Sequence, residues 1–196
     1  MDDDLRLVID AAWRVLERTN FEGFKVERVL HEADISARTF YRHFADKDEL
    51  LLALLRDEMS RAGGRLRVTV AEVDDPVAKV SVWIRAVIGA AGDPRRVARA
   101  RLFSSQQGLF WRFAAELHEG TQLLMSPLRD ALALGVISGE FPWCYPDRDA
   151  PLIYALVGGE MTHALAESPG ADVETAIENT IAFVLRSLGI PPATID

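Results

Sequence analysis

The chain has 196 residues and a formal net charge of −8, with 49% of its residues apolar and 27% charged. This composition is that of an ordinary globular protein and excludes extensive disorder. One cysteine, Cys144, excludes an internal disulfide and a cysteine-based zinc site, and no segment has the roughly 20 uninterrupted apolar residues of a membrane-spanning helix. The beginning, MDDDLRLVID, is acidic where a secretion signal would be basic, so we expect a cytoplasmic protein.

Two amphipathic helices are predicted at the beginning of the chain. Apolar residues that recur at steps of three and four share one face of a first helix: Leu5, Val8, Ile9, Ala12, Trp13 and Leu16. The same spacing marks a second, shorter helix: Val26, Val29, Leu30 and Ala33.

A short turn and two further helices follow. Residues 34–36 form the turn, and the Ser36 hydroxyl is suited to cap the next helix by accepting a hydrogen bond from a free backbone N–H. That helix is predicted over Ala37 to Phe44. Asp46 and Glu49 then have the spacing of a capping box, which predicts the start of a fourth helix.

Glycine and proline divide the middle of the chain. Gly63-Gly64 predicts the first strong break after the fourth helix. Residues 65–73 alternate partly like a strand, but we expect a helix because no partner strand is visible to satisfy an isolated strand's backbone. Asp75-Pro76 predicts the start of another helix, and Gly92-Asp93-Pro94 the start of one more.

The C-terminal half shows the same helical periodicity. A long pattern covers residues 106–134, with Pro127 as an expected kink or break, and a loop is predicted from Gly135 through Pro151. The last two helices are expected at about 150–166 and 173–188. About nine helices and no confident strand predict an all-α protein.

Residues 26–51 carry the pattern that indicates function. Two short helices joined by a tight turn and followed by a third helix form the arrangement that places the second helix in the DNA major groove. Phe40 and Phe44 face the interior, which leaves outward-facing side chains that can donate to phosphates and base edges. These side chains are Arg38, Thr39, Tyr41, Arg42 and His43. Lys47, at the start of the fourth helix, is placed to attract a phosphate together with nearby backbone N–H groups.

The stretch resembles the DNA-binding segment of TetR-family repressors. Seven residues match the pattern: Ser36, Thr39, Phe40, Tyr41, His43, Phe44 and Lys47. The resemblance covers residues 20–51, and it implies an N-terminal helix-turn-helix DNA-binding domain over residues 1–47 and a larger ligand-binding and dimerisation domain over residues 48–196. No cofactor is implied.

The resemblance also implies roles for individual residues. Thr39, Tyr41, His43 and Lys47 would mainly hold the DNA backbone, and Ala37, Arg38 and Tyr41 would lie nearest to the bases. The predicted DNA-contacting set is Lys25, Ser36, Ala37, Arg38, Thr39, Tyr41, Arg42, His43 and Lys47. Two residues depart from the pattern: Asp34 replaces the usual turn glycine, and Lys25 replaces the Thr or Ser that normally opens the second helix and can cap it.

Overall charge opposes this interpretation. Residues 1–62 carry 10 basic and 14 acidic residues, whereas a DNA-binding surface usually leaves a basic excess. The alternative is an all-helical ligand-binding protein or enzyme in which residues 26–51 are only a three-helix packing unit. Because no convergent set of acids, bases or metal ligands is found in the C-terminal part, we expect a regulator rather than an enzyme.

The C-terminal part is expected to hold a small-molecule effector, apolar or aromatic by the family resemblance. The candidate ligand-binding residues are Trp83, Phe103, Gln107, Phe110, Trp111 and His118, although aromatics of this kind are more often core. Glu160 and His163 have the spacing of a di-iron motif, but no second pair accompanies them, so no metal site is expected.

The resemblance implies that the last two helices form a homodimer interface. Their apolar residues are Leu152, Ile153, Leu156, Val157, Met161, Ile177, Ile181, Val184 and Leu188, and Gly158 and Gly159 would permit close helix approach. The alternative is burial within one subunit. Dimerisation is favoured because a helix-turn-helix protein of this type needs two-fold symmetry to bind both half-sites of a palindromic operator.

Overall fold

A computed structural model of the chain describes residues 3–19, 23–93, 96, 97, 99, 112–166 and 173–191. These residues form eight α-helices, one 3₁₀ turn at Gly89–Ala91 and no strand, which confirms the predicted all-α class. The helices are α1 Asp3–Thr19, α2 Val26–Ala33, α3 Ala37–His43, α4 Lys47–Ala71, α5 Pro76–Ile88, α6 Ala114–Ser138, α7 Pro146–Ala166 and α8 Val173–Ser187. None of the described helices is long and apolar enough to cross a membrane.

The first three helices form a small head against the beginning of α4. The predicted apolar face of α1 is buried, with Val8 and Ala12 fully inaccessible. α2 ends at Asp34, which adopts a left-handed conformation (φ 53°). Aspartate tolerates this conformation, so the replacement of the turn glycine leaves the geometry of the turn intact.

Helix α4 is longer than the sequence predicts. It runs without interruption through Gly63-Gly64, so the predicted break is wrong. A Cβ on Gly63 would lie 2.9 Å from the backbone oxygen of Leu123 in α6, whereas a Cβ on Gly64 would meet nothing within 4 Å. Gly63 therefore permits α4 and α6 to approach closely, and tertiary packing outweighs the weak helix propensity of the two glycines.

Pro127 lies inside α6 and does not end it. Proline has no N–H, so the Leu123 carbonyl four residues earlier lacks its usual helical donor. Ser126 Oγ donates to this carbonyl at 3.5 Å, and Gly63 packs against it. One residue on, the Leu124 carbonyl accepts a hydrogen bond from Trp83 Nε1 at 3.1 Å. The turn of α6 around Pro127 therefore contacts α4 through Gly63 and α5 through Trp83.

The predicted loop over 135–151 is much shorter in the structure. α6 continues to Ser138, where Gly139 caps it in a left-handed conformation (φ 81°). α7 begins at Pro146. Gly135 lies beneath the ring of Phe141, which would be 2.0 Å from a Cβ at that position. This glycine makes room for the returning chain rather than ending the helix.

Helix α5 is the centre of the larger helical body. It packs against α4, α6, α7 and α8, and its inner residues Val80, Trp83, Ile84 and Ile88 are fully buried. It begins at Pro76, as the sequence predicts, and Asp75 caps it by accepting the Ala78 N–H at 2.7 Å. The body therefore has a continuous apolar core behind the head.

Candidate nucleic-acid interface

Helix α3 is anchored by aromatic residues and presents its remaining face to solvent. Phe40 is fully buried and Phe44 is 4% exposed, with ring centroids 5.4 Å apart. Tyr41 is 61% exposed, and its ring meets that of Phe40 edge to face at 5.3 Å. The two phenylalanines fix the helix, and Tyr41 projects from it as a supported side chain.

The Ser36 and Thr39 hydroxyls stabilise the start of α3. Ser36 Oγ accepts the Thr39 N–H at 3.1 Å and lies 3.0 Å from Thr39 Oγ1, which confirms the predicted cap. Ala37 and Arg38 are exposed in the first turn. Both residues are free of protein packing on the outer side of the helix, as the predicted base-proximal positions require.

Arg42 and His43 complete the outer face of α3, and Arg42 has a partner that the sequence does not suggest. Arg42 Nη2 lies 2.5 Å from Asp4 Oδ2 on α1, a residue 38 positions earlier. Arg42 also lies near His43, with 3.4 Å between Nη2 and the His43 Nε2. Arg42, one of the predicted DNA contacts, is therefore paired with a carboxylate of the head, that of Asp4.

The two lysines in the predicted set differ in their surroundings. Lys47 is half-buried, with Nζ 5.5 Å from the centroid of the Phe24 ring. Phe24 is 1% exposed and was missed from the sequence, because no helical pattern includes it. Lys25 stands at the N-cap of α2 and makes no side-chain cap, as expected when it replaces a hydroxyl residue.

Carboxylates already occupy part of the N-terminus of α4. Asp46 accepts the Glu49 N–H at 3.0 Å, as predicted, while Glu49 accepts the N–H of Ala45 at 2.6 Å rather than that of Asp46. Asp48 pairs with Arg112 at 2.5 Å. The backbone N–H groups expected to help Lys47 attract a phosphate are thus partly satisfied by the chain itself.

A polar cluster joins the head to the body and was not predicted. Trp13 of α1 donates to Asp57 of α4 at 2.9 Å, and the Arg99 guanidinium lies 4.4 Å from the Trp13 ring. Arg99 also pairs with the buried Glu58 at 2.9 Å and with Glu17 of α1 at 3.4 Å. Arg65 is the second partner of Glu58, at 2.5 Å. These residues are far apart in sequence, so no local spacing could indicate the cluster.

The predicted effector-binding residues are only partly described. Phe103, Gln107, Phe110 and Trp111 lie outside the described residues. Trp83 is fully buried with its indole N–H satisfied by Leu124, and His118 is exposed on α6.

Tyr154 on α7 lies beside Trp83, with 6.5 Å between the ring centroids, and burial raises the pKa of its phenol. Tyr154 was not among the effector-binding residues predicted from the sequence.

The described residues contain no group of three or more His, Cys, Asp or Glu side chains able to hold a metal ion. Cys144 is buried, and desolvation together with the Asp149 carboxylate raises the pKa of its thiol to about 11. The thiol is therefore protonated near neutral pH and is not activated as a nucleophile.

Each of the last two helices exposes one large apolar side chain on its outer side, in addition to its buried inner residues. Leu152 on α7 is 64% exposed and Phe183 on α8 is 55% exposed, while Ile153 and Val184 are buried. A groove of about 340 Å³ lies between the two helices. A Cβ added at Gly158 or Gly159 would meet nothing within 4 Å, so this part of α7 is open.

Similarity to known proteins is strongest in the head. Residues 8–54 match the family of bacterial regulatory proteins, tetR family. The HTH-type transcriptional regulator BetI of Brucella abortus is 29% identical over 79 residues, covering 40% of each chain. BetI of Brucella canis is 28% identical over 86 residues, covering 44% of this chain and 43% of its own. The chain thus matches about two fifths of the length of these relatives.

Solved structures extend the similarity of fold to nearly the whole chain. FadR from Bacillus subtilis, in complex with stearoyl-CoA, has a TM-score of 0.73 at 18% identity and covers 93% of this chain and 98% of its own. RolR, in complex with resorcinol, has a TM-score of 0.70 at 20% identity over 96% of this chain and 89% of its own. A TetR transcription regulator from Haloarcula marismortui has a TM-score of 0.70 at 16% identity, covering 92% and 95%.

Proposed function

From the match of residues 8–54 to the tetR family of bacterial regulatory proteins, we propose that this chain is a dimeric, sequence-specific DNA-binding regulator of transcription. It acts as a repressor that a small molecule releases, and it works in the cytoplasm, where DNA is accessible. The observation that carries the proposal is α3 itself. Buried Phe40 and Phe44 hold the helix while Arg38, Tyr41 and Arg42 remain exposed on its outer face.

The exposed chemistry of α3 fits the major groove of DNA. Arg38 in the first turn carries the guanidinium that can bind guanine N7 and O6 together. Tyr41 offers a phenol to a phosphate or base edge, and the Lys47 ammonium at the start of α4 contacts a phosphate. Phosphate contacts fix the register of the helix, and contacts to base edges select the sequence.

The α7–α8 surface supports the proposed homodimer. Exposed Leu152 and Phe183 border an apolar groove, and Gly158 and Gly159 leave space for a second helix to approach. A second copy related by two-fold symmetry covers this surface and presents the same apolar residues in return. The dimer then carries two copies of α3, which engage two half-sites of a palindromic operator roughly 34–36 Å apart.

Helix α4 is the element through which an effector controls DNA binding. Lys47 is at its DNA-facing end, while its contacts with the body continue to Leu66 and Val70. The proposed domains are residues 1–47 and 48–196, so the boundary lies in the first turn of α4. The pairing of Arg99 with Glu17 and Glu58 transmits movements of the body to α1 and α4.

The effector is proposed to be apolar or aromatic. The structures of two relatives in fold, FadR with stearoyl-CoA and RolR with resorcinol, support this class without identifying the molecule. The effector releases DNA only if it binds the DNA-incompetent arrangement more tightly than the competent one, since equal affinity for both would change nothing.

The experiment that tests the proposal is the salt dependence of binding to a mixed-sequence DNA duplex, comparing the wild type with Lys47→Ala and Tyr41→Ala. Loss of the Lys47 ammonium, a cationic phosphate contact, lowers the slope of log affinity against log salt by about 0.9 per half-site and weakens binding at low salt. Loss of the neutral Tyr41 phenol weakens binding with little change in the slope. Arg67→Ala is the matched control, because Arg67 is exposed on the same helix about 30 Å further along at 1.5 Å per residue. Binding that is indifferent to salt, or equal in all four proteins, would contradict the proposal.

A further inference from the structure

We propose that Asp4 is an intramolecular competitor of DNA phosphate, which holds Arg42 of the recognition helix in the free protein and so lowers affinity for DNA. The inference rests on the proposed function and concerns the regulation of the same surface. It begins from a contact between two helices, in which Asp4 Oδ2 lies 2.5 Å from Arg42 Nη2.

The position of the pair places it at the DNA-facing surface. Arg42 lies on α3 next to Tyr41, and its side chain is 60% exposed. Asp4 lies in the first turn of α1 and its side chain is 40% exposed. A phosphate approaching the outer face of α3 therefore meets a guanidinium that already has a carboxylate partner, with that carboxylate's negative charge beside it.

The strength of the pair makes it a modulator of affinity rather than a block. An ion pair this exposed is worth at most about fivefold in an equilibrium constant, so a phosphate can displace it. Displacement leaves the Asp4 carboxylate close to the phosphate, and the repulsion further lowers affinity. A dimer carries the pair twice, so the effect on an operator with two half-sites is squared.

The charge distribution of the head points in the same direction. Acidic residues outnumber basic ones by 14 to 10 over residues 1–62. At the N-terminus of α4, Asp46 and Glu49 accept the backbone N–H groups that a phosphate would otherwise bind. The head's own carboxylates thus occupy donor groups at two points near the predicted DNA contacts, the Arg42 guanidinium and the backbone N–H groups at the start of α4, which lowers affinity for any sequence and leaves selection to the bases.

The test compares Asp4→Asn with the matched control Asp10→Asn in binding to a duplex selected by the wild type from a random pool. Asp10 is also on α1, its side chain is 47% exposed, and it lies 3.8 Å from Arg61 of α4 rather than from α3. Asp4→Asn is expected to raise affinity at low salt by about threefold to twentyfold, while Asp10→Asn changes it less than about twofold. Asp4→Glu, which keeps the charge, should bind like the wild type.

A double-mutant cycle separates release of Arg42 from a general change of charge. Arg42→Gln should cost little affinity in the wild type and several-fold more in the Asp4→Asn background, because only there is the guanidinium free. Thermal unfolding followed by circular dichroism checks that every variant is folded. Equal affinities for Asp4→Asn and Asp10→Asn, or an additive cycle, would overturn this inference alone. If folded wild-type protein bound no DNA at any salt concentration, the proposed function would fall with it.

Discussion

The proposed recognition surface on α3 and the outer surface of α7 and α8 are both exposed, but they differ in chemistry. On α3 the apolar residues are buried and the exposed side chains are polar, with Arg38, Tyr41 and Arg42 outermost. On α7 and α8 large apolar side chains remain exposed after the core is packed, with Leu152 and Phe183 outermost. The difference is what the proposed function requires, a polyanion as partner of the first surface and a second copy of the chain as partner of the other.

The largest expected effect comes from making the second surface polar. Leu152→Glu combined with Phe183→Glu should convert the dimer to a monomer, since two carboxylates per subunit would be buried at the interface. Operator affinity should then fall at least about a hundredfold, because the second half-site is no longer bound intramolecularly. Analytical ultracentrifugation and operator titration measure the two effects. Val68→Glu, at a residue 62% exposed on α4, is the control. A double variant that stays dimeric would show that the α7–α8 surface is not the interface.

A second prediction concerns the cluster between the two surfaces. Arg99→Met removes one of two arginines from Glu58, whose side chain is only 6% exposed, and should lower the free energy of unfolding by about 2–4 kcal/mol. Arg112→Met breaks a pair whose side chains are 60% and 40% exposed and should cost less than about 1 kcal/mol. Urea unfolding of both variants gives the comparison. Equal losses would mean that the Arg99 cluster does not fix α1 against the body.

The smallest expected effect tests how the body positions α4. Gly63→Ala should destabilise the protein by about 1–3 kcal/mol, because its Cβ meets the Leu123 backbone at 2.9 Å. Gly64→Ala, one residue on, has open space and should stabilise the helix by up to about 1 kcal/mol. Thermal unfolding of the two variants shows whether each substitution raises or lowers the stability of the protein. If both substitutions stabilised the protein, the close packing of Gly63 against α6 would not explain why α4 is continuous.

Local sequence signals predicted most of the helical architecture. The caps at Ser36 and Asp46, the helix start at Asp75-Pro76 and the tolerated turn residue Asp34 depend on interactions within four residues, and all four are present. The breaks predicted at Gly63-Gly64 and Gly135 were wrong for one reason. At Gly63 and Gly135 the missing side chain makes room for a distant part of the chain, which a local reading treats as the end of a helix.

Helix α3, the proposed recognition helix, was predicted from its pattern, whereas the intramolecular partners of its side chains were not. The pairs of Arg42 with Asp4 and of Arg112 with Asp48 join residues 38 and 64 positions apart. The exposed charges of such pairs look in sequence like ordinary solvated residues. The acidic excess of residues 1–62 is thus partly balanced by arginines from outside that segment, since Asp48 pairs with Arg112 and Glu58 with Arg65 and Arg99. This balance is visible only when the helices are assembled.

The most direct test of the central claim is selection of bound sequences from a random DNA pool by the wild-type protein, with Tyr41→Ala in parallel. We expect the wild type alone to enrich an inverted repeat with half-site centres roughly 34–36 Å apart, as two copies of α3 in a symmetric dimer require. A folded, dimeric wild-type protein that enriches no sequence at low salt would contradict it.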